Sequence, residues 1–117
     1  MFSIGAATRI YLVLGITDMR KGRDGLYSLV VGHLKEDPLS GHLFVFANRT
    51  RDRIKALYWD GSGLWICSKR LEKGRFSWPE KLDSDGTVTL SNAQWAMLIG
   101  GIDLNTTRRK AWWRNNE

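Results

Sequence analysis

The chain has 117 residues, 43% hydrophobic and 26% charged, which predicts a single globular domain able to bury a core without disulfides and excludes a disordered or membrane-embedded class. Eighteen Lys and Arg against 12 Asp and Glu give a net charge of +6, a surplus that favours polyanions, nucleic acid first and membrane surfaces a distant second. The single cysteine, Cys67, excludes an internal disulfide, and no stretch reads as a signal peptide or membrane span, so a reducing, cytoplasmic setting is expected.

Taken in order, Arg9 to Gly15 (RIYLVLG) reads as a strand whose nearly continuous apolar character implies cover on both faces. Thr17 or Asp18 is expected to cap a helix running to about Leu34, with Leu26, Leu29, Val30 and Leu34 on one face. Gly22 and Gly25 fall in its first turns, where they either delay the helix or permit a close backbone contact. Asp37-Pro38-Leu39-Ser40-Gly41 is a turn, and His42 to Ala47 a second strand.

Ile54 to Trp59 and Leu64 to Lys69, joined by Asp60-Gly61-Ser62-Gly63, read as a hairpin, because an Asp-Gly turn tolerates positive φ. With Asp60 opposite Gly63, one face carries Tyr58 facing Trp65, Ala56 facing Cys67 and Ile54 facing Lys69. The other carries Arg53, Lys55, Leu57 and Trp59 opposite Arg70, Ser68, Ile66 and Leu64. Together with the strand before it, this hairpin makes an antiparallel meander. Arg70 to Pro79 has no clear period, Asp83 to Gly86 is a turn and Thr87 to Leu90 a short strand. Ser91 and Gln94 have the spacing of a capping box ahead of a helix carrying Trp95, Leu98, Ile99 and Ile102, with Gly100-Gly101 as its stop. The expected fold is α+β: a small antiparallel sheet, a meander with a central hairpin, packed against two helices. Residues 1–104 form the domain, and 105–117 a basic tail containing Trp112-Trp113.

Between Arg49 and Arg75 stand eight cations, Arg49, Arg51, Arg53, Lys55, Lys69, Arg70, Lys73 and Arg75, against three anions, Asp52, Asp60 and Glu72. The positive charge is therefore localised, and these eight are the candidate phosphate contacts, since each phosphate neutralised by Lys or Arg releases counterions. Tyr58, Trp65 and Phe76 lie among them and could stack on unpaired bases, although each taken singly reads first as core. Zinc-finger, basic-zipper and helix-turn-helix patterns are missing, so binding to the backbone is expected rather than reading of bases. Asp18, Asp52, Asp60 and Asp103 do not converge, and His33 and His42 stand apart from each other and from Cys67. No catalytic residue, metal or cofactor is therefore assigned, and an enzyme is not expected.

The order of motifs resembles a known family. Thr17 to Gly22 with Asp24-Gly25-Leu26, Asp37 to Gly41 with Phe44-Val45-Phe46, Lys55 to Gly61 with Gly63-Leu64, Lys69 to Phe76 with Trp78-Pro79, and Gly101-Ile102-Asp103 look like the small TnpB accessory protein of IS-sixty-six-type insertion sequences. This is distinct from the RNA-guided nuclease that shares the TnpB name. The resemblance covers about Ile4 to Arg109, with Lys69 to Pro79 its most specific piece. It implies participation in transposition beside a separate transposase and a second accessory protein, with element DNA as the nucleic acid, and it supplies no catalytic residue. Trp65, Gly100 and the Trp112-Trp113 pair depart from the family pattern. Two readings follow: an accessory protein that holds element DNA through the basic hairpin and the loop after it, or an interaction module that recruits the transposase without touching DNA. In the second, Phe76 and Trp78 are the partner anchors, as arginine- and tryptophan-rich loops often are.

Overall fold

The computed structural model describes residues 8–79 and 86–100. The expectations for Asp83 to Asp85, the helix stop at Gly101, Ile102, and the tail 105–117 lie outside them. Five strands, β1 (Ile10–Val13), β2 (Leu43–Ala47), β3 (Arg53–Trp59), β4 (Leu64–Arg70) and β5 (Thr87–Leu90), form one sheet in the order β4-β3-β2-β1-β5. Two helical segments cover it, α1 (Arg23–Ser28), prolonged by a π-helical turn over Leu29–His33, and α2 (Asn92–Ile99). The α+β class holds. The sheet is nevertheless mixed, because β1 runs parallel to β2, with Ile10 beside Leu43 and Leu12 beside Val45, and the other pairs are antiparallel. A parallel neighbour needs a crossover longer than a tight turn, and α1 supplies it.

Strand alternation sorts the core into two layers. Ile10, Leu12, Val45, Ala47, Ile54 and Ala56 face α2, where they meet Phe76, Trp78, Trp95 and Leu98. Val13, Phe44, Phe46 and Leu57 face the other way and meet Met19, Leu26 and Val30. A sheet buried on both sides explains why Leu43–Ala47 is apolar at every position, each of the five residues being buried.

The first helix differs from the expectation. It begins at Arg23, with Gly22 as N-cap and no side-chain cap. Asp18 closes a turn of its own, its carboxylate accepting from the Arg20 N–H at 2.9 Å and from the Arg20 guanidinium at 2.7 Å. Of the two roles foreseen for the glycines, Gly22 takes the first, marking the delayed start; at Gly25 the close neighbour is a side chain, since a Cβ there would come within 3.0 Å of the Lys21 Cβ. The apolar face is the expected one, with Leu26 and Val30 buried and Leu29 and Leu34 packed against their layer. At α2 the capping box is complete: Ser91 Oγ accepts from the Gln94 N–H at 3.1 Å and Gln94 Oε1 from the Ser91 N–H at 2.9 Å. Such a cap contributes about 1 kcal/mol.

Candidate functional site

The hairpin has the expected register throughout, from Arg53 opposite Arg70 to Trp59 opposite Leu64. Its turn is organised by Asp60. One carboxylate oxygen accepts from the Ser62 and Gly63 N–H groups at 2.9 Å each, and the other accepts from the Trp65 indole at 2.8 Å. Those hydrogen bonds, the Ser62 backbone donor foremost and the Trp65 indole next, lower the Asp60 pKa from 3.8 to about 2. A depressed carboxyl contributes stability above its unfolded pKa and loses it as pH falls through the folded value. For Asp60 that window runs from about pH 4 down to about 2. Denaturation at pH 6 and pH 3 should accordingly separate the wild type more than it separates Asp60→Asn; equal separation would remove the turn carboxylate as a cause.

The open end of the hairpin is tied to two loops. The Asn48 amide and the Thr50 hydroxyl donate to Asp52 Oδ1 at 2.8 and 2.7 Å, and these bonds lower the Asp52 pKa. The Leu71 N–H donates to the Asp52 carbonyl at 2.8 Å and the Phe76 N–H to the Arg51 carbonyl at 2.6 Å. Residues 71–76 are thereby clasped to residues 51–52, so Arg49, Arg53, Arg70, Lys73 and Arg75 come to one end of the sheet.

The eight candidate cations divide by what they touch. Arg51 is half-buried and points inward: it donates to the Gly15 carbonyl at 2.9 Å, and its guanidinium lies over the Trp78 ring, 5.5 Å from the centroid. Lys55 donates to the Lys21 carbonyl at 2.8 Å and holds the Asp18–Lys21 turn against β3. Lys69 points to the α2 face and donates to the Ile99 carbonyl at 2.6 Å, at the helix end where a cation is favoured. Arg49, Arg53, Arg70, Lys73 and Arg75 are exposed. Among the described residues the ion pairs are Asp18–Arg20 and Arg23–Asp24, and neither involves those five.

Arg53 and Arg70 stand directly opposite each other on the α1 face. They border a groove of about 300 Å³ that Met19, Lys55 and Ser68 help to line. Like charges facing across two strands repel, and an anion between them relieves the repulsion. Met19 and the turn that carries it were not singled out from the sequence as part of a site. The signal lay in Lys55, whose position opposite Ser68 on the same face as Arg53 directs its amine to that turn.

Phe76 and Trp78, expected as anchors for a partner, serve the chain's own core. They are 3% and 5% exposed, and the Trp78 indole donates to the Val13 carbonyl at 3.3 Å. Tyr58 is half-buried, whereas Trp65 is 44% exposed.

The family described as IS66 Orf2 like protein matches residues 8–109. The chain belongs to that family. Two proteins of Sinorhizobium fredii (strain NBRC 101917 / NGR234) are similar to this Orf2-like protein over nearly their whole length. "Uncharacterized protein y4jC" is 37% identical over 102 residues, 87% of this chain and 86% of the relative. "Uncharacterized protein y4hO" is 40% identical over 103 residues, 88% of each. No solved structure matches. Membership makes this an insertion-sequence accessory protein of the IS66 type, and within the matched residues the segment from Lys69 to Pro79 contains three of the five exposed cations, Arg70, Lys73 and Arg75, beside the buried Phe76 and Trp78.

Proposed function

We propose that this Orf2-like protein assists transposition by holding the phosphate backbone of element DNA at the open end of its hairpin. One observation carries the reading: Arg49, Arg53, Arg70, Lys73 and Arg75 are gathered by the 51–52 to 71–76 clasp, exposed, and without an ion pair among the described residues. Guanidinium groups suit phosphate oxygens because their donors form a planar fork. Contacts of this type fix a protein on a duplex without choosing its sequence. Lys55 and Lys69 add positive potential from either face of β3 and β4, while Arg51 holds the platform in shape.

In this reading the protein works with the element's transposase and second accessory protein by occupying DNA that they also use. Recruitment of the transposase without DNA is the weaker reading, since the aromatic residues that would anchor it are inside the core. A fluorescence anisotropy titration of element-end duplex, scrambled duplex and single strand at two salt concentrations tests the proposal. Similar affinities for the two duplexes and a steep fall with salt are expected; undetectable binding at low salt would overturn it.

A further inference from the structure

β4 ends the sheet, and hydrogen bonding across the hairpin fixes which of its backbone groups look outward. The Asp60 N–H donates to the Gly63 carbonyl and the Leu71 N–H to the Asp52 carbonyl. Since bonding alternates along an antiparallel pair, Trp65, Cys67 and Lys69 turn their N–H and C=O toward β3, and Leu64, Ile66, Ser68 and Arg70 turn theirs away. Among the described residues no further strand takes up that edge. Natural sheets blunt such edges with charge, and here the charge lies at one end only, on Lys69 and Arg70, with Leu64, Trp65, Ile66 and Cys67 at the other.

We infer that two copies of this chain join antiparallel along their β4 strands, centred on Cys67, into a continuous ten-stranded sheet. This register uses all seven residues and makes the strand self-complementary. Leu64 pairs with the partner's Arg70 and Ile66 with the partner's Ser68, as hydrogen-bonded pairs between outward-looking groups. Trp65 meets the partner's Lys69 and Cys67 the partner's Cys67, as the pairs whose side chains approach more closely. In this register each cation meets an aromatic or neutral residue instead of another cation. Parallel pairing in register would set Lys69 against Lys69 and Arg70 against Arg70. Sliding the antiparallel strands toward their basic ends loses pairs and then brings lysine against lysine. The basic open ends of the two copies fall at opposite ends of the joint, roughly 20 Å apart along the strand at about 3.3 Å per residue. The inference does not rest on DNA binding, because it is argued from the outward backbone groups of β4 and from the order of its side chains.

Sedimentation velocity of the full chain over a concentration series, in the absence of DNA, tests it. The wild type should form a species of twice the 13.4 kDa chain mass. Trp65→Lys places two like-charge pairs in each dimer and should raise its dissociation constant about tenfold, whereas Trp65→Glu, which faces the partner's Lys69, should lower it. Ser68→Pro removes an outward N–H that β3 does not use and should abolish the dimer with unchanged circular dichroism. Diamide should join Cys67 to Cys67 in the wild type, since facing strand positions lie within the span of a disulfide. A monomer at every concentration would overturn the inference, as would a dimer indifferent to charge at position 65. Should Ser68→Pro fail to fold, the opposite responses of Trp65→Lys and Trp65→Glu still decide.

Discussion

Replacing Arg49, Arg53, Arg70, Lys73 and Arg75 together by alanine should remove most of the salt dependence of DNA binding. Each phosphate contact contributes about 0.9 to the slope of log affinity against log salt on duplex DNA, so five contribute about 4.5. Over a fourfold rise in salt such a slope is a roughly 500-fold loss of affinity, which the wild type should show and the variant should not. The effect should be the same on element-end and scrambled duplexes, because contacts to phosphate do not choose among bases. Arg51→Ala provides the contrast. Its guanidinium is engaged by the Gly15 carbonyl and the Trp78 ring, so it should lower the unfolding midpoint and leave the slope near its wild-type value. A quintuple variant with an unchanged slope would refute the platform.

The second large effect is on stability. Trp78 is buried against the α2 layer, bonded to the Val13 carbonyl and covered by Arg51. Trp78→Ala should cost about 3 to 5 kcal/mol, a large share of the 5 to 15 kcal/mol that holds a typical domain folded. Trp78→Phe retains most of the ring and loses one hydrogen bond, worth about 1 kcal/mol. Urea unfolding followed by circular dichroism separates the two. A Trp78→Ala midpoint within error of the wild type would mean that the segment after the hairpin is not a structural latch.

Local chemistry made much of this fold readable. The hairpin register followed from Asp60-Gly61 and strict alternation, the α2 start from Ser91 and Gln94, and the inner face of α1 from Leu26 and Val30. Less readable were features set by distant parts of the chain. The parallel placement of β1 beside β2 depends on a crossover whose packing no local period encodes. Asp18 resembles a helix cap, and only the backbone at Gly22 shows that the helix waits until Arg23. At the site, the clustering of cations was plain from composition, but their division was not. Arg51, Lys55 and Lys69 carry the same charge as Arg53 and Arg70, yet they are committed to carbonyls 36, 34 and 30 positions away in sequence. Phe76 taken singly reads as core by type, and the structure agrees, but Trp78 in a loop with no period reads only as an interface anchor, although it too folds back under the sheet.

The place of β1 has a consequence for synthesis. It lies between β2 and β5 and pairs with Leu90 through Ile10, so a nascent chain that has already made its meander still shows one side of β1 to solvent. That flank closes only when β5 emerges from the ribosome, and until then it is the place where a stalled or truncated product would stick to its neighbours.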